Sequence, residues 1–77
     1  MSDDGAKQRR ILRAISEFRR RGASPLAHDL AGEVGLSVEE VRRRLRDYEQ
    51  AGLVNLSSQR DDAHIILTPE GELRAKG

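Results

Sequence analysis

The chain of 77 residues contains no cysteine, one tyrosine, one phenylalanine and two prolines. Without cysteine it can form neither a disulfide nor a thiolate metal site. Its two histidines, His28 and His64, are too few and too far apart for a metal-ligand signature, so no metal or other cofactor is expected. Phe18 and Tyr48, the only aromatics, do not make a stacking platform for single-stranded RNA. The longest apolar run is Ile65-Ile66-Leu67, whereas a membrane helix needs about 20 apolar residues. Met1-Ser2-Asp3-Asp4 is acidic and no apolar segment follows, which is not the pattern of a secretory leader; the expectation is a cytoplasmic protein. Paired carboxylates, a glycine-rich phosphate loop and a nucleophile motif are all missing, and Asp61 and Asp62 fall in a polar loop with poor preorganisation. A non-enzyme is therefore expected.

What is present is charge, unevenly distributed. The formal net charge is +1. Residues 1–6 carry −2, residues 7–21 carry +6, residues 22–52 carry −2 and residues 53–77 carry −1. The near-neutral total conceals a basic first segment and a second arginine cluster, Arg42-Arg43-Arg44 with Arg46.

Residues 1–6 read as a disordered tail and 7–77 as one domain. From Lys7 to Arg21, Ile11, Ile15 and Phe18 recur at helical spacing, with Arg9, Arg13 and Arg20 on the opposite face, and Gly22 is a suitable stop. Ser24-Pro25 reads as N-cap and first residue of a second helix carrying Leu26, Leu30 and Val34, closed by Gly35. Gly32 inside it suggests a close approach by a neighbouring helix. Ser37 with Glu40 is a capping-box pattern opening a third helix, 37–51, whose inward stripe is Val38, Val41, Leu45 and Tyr48. The period then changes. Leu53–Leu56 and Ala63–Leu67 read as strands around the polar loop Ser57–Asp62, a hairpin over 53–67. Thr68-Pro69 repeats the cap-and-proline signal before a short final helix, Glu70–Lys76. The expected class is α+β, mainly α, with a three-helix core.

The informative segment is Leu30-Ala31-x-x-x-Gly35-Leu36-Ser37-x-x-x-Val41-x-x-x-Leu45. Ala31 must be small where the next helix crosses, Gly35 passes a turn that a side chain would obstruct, and Leu36 fills the gap between the helices. With Ala51-Gly52-Leu53-Val54, a hairpin and Ile66-Leu67-Thr68-Pro69-Glu70-Gly71, the order over residues 8–73 resembles the winged helix-turn-helix domains of prokaryotic transcriptional regulators. The resemblance implies a β-hairpin wing after the three-helix core. It also implies a role in transcription regulation, with helix 37–51 in the DNA major groove. The positions matching the family's DNA-facing sites are Ser37, Val38, Glu39, Arg42, Arg43 and Arg46, with Arg60 at the wing tip. Arginine can take guanine O6 and N7 in two hydrogen bonds or neutralise phosphates. Ser24, at the expected start of the second helix, would help hold a phosphate on backbone N–H groups. Lys7, Arg9 and Arg10 would reach flanking phosphates.

Two features depart from the family. Glu39 and Glu40 stand where its regulators usually carry Ser, Thr or Gln, and Arg60 is followed by Asp61 and Asp62. A carboxylate beside DNA repels phosphate unless it accepts from a cytosine amino group. The second reading is thus a winged-helix module that binds a protein partner without contacting DNA. The final helix is short and the first is needed for the core, so the expected state is a monomer or weak homodimer. His28 and His64 read as surface residues, Phe18 and Tyr48 as core.

Overall fold

A computed structural model describes residues 3–57 and 63–76, with side chains from Gly5 onward. The element order is α1 Asp3–Arg20, α2 Ala27–Val34, α3 Val38–Gln50, β1 Val54–Leu56, β2 Ile65–Leu67 and α4 Pro69–Lys76. The protein is therefore mainly helical with one two-stranded antiparallel sheet, in the α+β class expected. Ile11, Leu12 and Ile15 of α1, Leu30 and Val34 of α2, and Val41, Leu45 and Tyr48 of α3 close into one core with Val54 and Leu67 of the sheet. Spacings of three and four residues place each helical set on one face. Phe18 is half-buried at the core margin rather than enclosed, with the Arg21 guanidinium 4.9 Å above its ring.

Three local expectations change. The first helix begins at Asp3, so residues 3–6 of the expected tail are helical; upstream growth is inexpensive once a helix exists, because each added residue closes one hydrogen bond. The second helix does not start at Ser24-Pro25. Its N-cap is Leu26, whose N–H donates to Asp29 Oδ2 at 3.0 Å, so a carboxylate inside the first turn performs the capping. Gly32 is exposed and a Cβ there would meet nothing within 4 Å, so no helix crosses at that point.

The close approach lies instead at Gly71, where a Cβ would collide with the backbone carbonyl of Leu53. Thr68 organises this junction. Its Oγ1 accepts from Gly71 N at 3.0 Å, capping α4, and donates to the Gly52 carbonyl at 2.6 Å. Its backbone N–H donates to the Leu53 carbonyl at 3.1 Å. The run Thr68-Pro69-Glu70-Gly71 thus fixes the start of α4 against the Gly52–Leu53 connection that follows α3, while the body of α4 packs on α1.

The turn between α2 and α3 works differently. Gly35 adopts φ +74°, and both its own N–H and that of Leu36 donate to the Ala31 carbonyl, at 3.0 and 3.1 Å. This left-handed residue closes the helix and reverses the chain within a few residues; α1 and α3 end on glycines of similar φ. In the sheet, Val54 pairs with Leu67, Asn55 with Ile66 and Leu56 with Ile65, so Val54, Ile65 and Leu67 face the core while Asn55 and Ile66 face solvent. Ser57 and His64 prolong the ladder: Ser57 N donates to His64 O at 3.1 Å, and His64 N to Ser57 Oγ at 2.9 Å.

Candidate functional site

The site is built on α3. Its first free N–H groups are partly satisfied by Ser37, whose Oγ accepts from Glu40 N at 3.1 Å. This is the Ser37 half of the expected capping box. The Glu40 carboxylate is held by Arg44 Nη2 at 3.1 Å and has Lys7 Nζ at 4.0 Å, which draws the first turns of α1 towards α3. A second tie acts behind the turn: Arg10 Nη2 donates to the Val34 carbonyl at 3.2 Å, placing a cation at the negative end of α2. At the far end, Leu56 N donates to Glu49 Oε2 at 3.3 Å, fastening the hairpin to α3.

With Val41, Leu45 and Tyr48 buried, the stripe opposite them on α3 is Glu39, Arg43, Arg46 and Gln50, at i, i+4, i+7 and i+11, with the exposed Asp47 beside it. All four are exposed. Among the described residues no carboxylate lies within 4 Å of the Arg43 or Arg46 guanidinium. Arg42, grouped with them in the sequence, is half-buried and already engaged within the fold, as is Arg44. The structure therefore separates the four-arginine cluster into two residues that face solvent and two that serve the fold. Val38 is half-buried against the core. Gln50 has no site role in the sequence expectations, although its spacing from Arg43 and Arg46 was sufficient to supply one; an amide there can pair with adenine.

Two expected site residues fall elsewhere. Ser24 is exposed in the connection ahead of Leu26, so it does not stand at the start of α2. The N-terminus of α2 already holds the Asp29 carboxylate, which occupies the favourable anion position and would repel a phosphate. Arg60 lies outside the described residues. Of the three cations expected to reach flanking phosphates, Lys7 and Arg10 are committed to Glu40 and Val34, and Arg9 remains exposed.

A separate cleft of about 650 Å³ runs between α1 and α4, lined mainly by charged side chains including Arg13, Arg19, Arg20, Glu72 and Lys76. Arg19 Nη1 bonds Glu72 Oε1 across it at 3.3 Å. Among the described residues there is no His, Asp or Glu cluster fit to hold a metal and no helix long and apolar enough to cross a membrane. Comparison with known proteins adds no assignment: no family model and no curated protein matches the chain.

Proposed function

We propose that the chain is a winged-helix module that binds double-stranded DNA and serves transcription regulation, with α3 entering the major groove and the hairpin 53–67 acting as the wing. The observation that carries this reading is the exposed stripe Glu39, Arg43, Arg46 and Gln50 on a helix fastened at both ends. Arg43 and Arg46 present unpaired forks suited to guanine O6/N7 or phosphate oxygens. Gln50 suits adenine, and Glu39 a cytosine amino group. The turn at Gly35, the element order and the seating of α4 by Thr68 and Gly71 agree with the family resemblance on residues 8–73.

If about four phosphates are engaged, log affinity falls with log salt at a slope of about −4. Anisotropy titration of a labelled duplex tests this, with Arg43→Ala/Arg46→Ala as the comparison. Each lost bidentate base contact costs about 1–3 kcal/mol, so the double variant should lose at least tenfold in affinity for its preferred site while keeping its fold. Equal affinity in both proteins would remove α3 as the reading element.

A second reading is favoured by one feature. The outward face of α3 carries Glu39 and Asp47 beside its arginines, a mixed pattern that suits a protein surface as well as DNA. A protein partner retained by the unmutated chain and lost by the double variant, with no DNA affinity in either, would select it.

A further inference from the structure

The stronger cationic surface of the molecule is not on α3. On α1, Arg9, Arg13 and Arg20 fall on the face opposite Ile11, Ile15 and Phe18, and all three are exposed. Lys76 of α4 joins them across the cleft that Arg13, Arg19 and Arg20 help to line. This surface carries Arg9, Arg13, Arg19, Arg20 and Lys76 against two carboxylates, Glu17 and Glu72. Glu72 is already bonded to Arg19. Among the described residues, no carboxylate lies within 4 Å of the charged ends of Arg9, Arg13, Arg20 or Lys76. The outward side of α3 has no such excess: its exposed Arg43 and Arg46 are matched by Glu39 and Asp47.

We propose that the outer face of α1, completed by Lys76, is a second binding surface that takes the phosphodiester backbone of a duplex independently of α3. Arg9 to Arg20 spans about 16 Å of helix axis, close to five nucleotide steps of one strand at about 3.4 Å each. Arginine forks match phosphate oxygens in pairs, and a rigid helix holds them in line without further ordering. The face excludes the other polyanions by what it lacks. Its only ring, Phe18, is turned to the core margin beneath Arg21, so there is no platform on which single-stranded bases stack. The apolar side of α1 is consumed by the core, and the exposed Leu73 of α4 is a single side chain, too little apolar surface to anchor in a lipid layer. An acidic peptide would want an apolar anchor pocket beside free cations; the α1–α4 cleft is lined chiefly by charged groups, and the apolar pocket of about 230 Å³ between the end of α1 and β2 offers only Arg19, which is already bonded to Glu72.

The ladder also leads away from α3. The first turns of the two helices approach where Lys7 meets Glu40, and Arg20 lies about 20 Å further along α1. A duplex seated on α3 therefore leaves Arg13, Arg20 and Lys76 available to a second duplex, and the chain bridges the two.

The test uses donor-labelled and acceptor-labelled 20-base-pair duplexes of unrelated sequence. The unmutated protein should bring them together in a salt-sensitive way. Arg13→Ala/Arg20→Ala/Lys76→Ala should abolish the energy transfer and reduce the magnitude of the salt slope by about 2.7, with an unchanged amide NMR spectrum away from the three sites. Arg43→Ala/Arg46→Ala should lose the bridging too, but should retain salt-sensitive binding of one duplex. Retention in that variant supports the α1 surface even if α3 reads no sequence, so the two readings fail separately. Unchanged slope and bridging in the triple variant would overturn the inference. So would tighter binding of anionic phosphatidylserine vesicles than of duplex.

Discussion

The two ends of α3 are held by opposite means. At its N-terminal end the chain turns on Gly35, whose surroundings are open: a Cβ there would meet nothing within 4 Å, and only the φ of +74° demands glycine. At its C-terminal end the demand is spatial. Gly71 has an ordinary helical backbone, but a Cβ would strike the Leu53 carbonyl, and Thr68 pins the same corner through Gly52 and Leu53. One junction specifies a backbone conformation and the other a close contact. Together they orient the stripe of Arg43 and Arg46 that the proposed DNA reading requires.

The comparison can be broken at the tight end first. Gly71→Ala should destabilise by about 3 kcal/mol, because the obstacle is backbone and cannot rotate away. In a domain of this size that lowers the melting temperature by well over 10 °C, readable by thermal circular dichroism. Thr68→Val keeps the shape but removes the α4 cap and the bond to Gly52, for about 2 kcal/mol in urea unfolding. Gly35→Ala should be the mildest, about 1 kcal/mol, since it pays only for the left-handed conformation. If Gly35→Ala proved costlier than Gly71→Ala, the assignment of conformation to one end and contact to the other would be reversed.

Much of this architecture is visible along the chain. The helical stripes, the glycine stops, the cap at Ser37 and the one-sided hairpin all follow from patterns within about ten residues. The exceptions share a cause. Ser24-Pro25 has the local signature of a helix start, yet Asp29 caps α2 two residues later than that signal suggests. Gly32 and Gly71 are both glycines within helices, and only packing shows that Gly71 is the one meeting a neighbour. Glu40 is well spaced to complete a capping box, but its carboxylate is drawn to Arg44 and Lys7 instead. In the candidate site, the arginine cluster was legible as a unit, while its division was not. A half-buried Arg42 and a solvent-facing Arg43 are consecutive residues of the same type.

The order of residues alone determined which stretches become helix or strand and which side of each is apolar, because periodicity, caps and left-handed glycines act through neighbours in the chain. Tertiary structure decided which carboxylate meets which cation, which glycine is crowded and which arginines remain available. Those outcomes depend on distances between segments remote in sequence, and such distances exist only once the core has closed.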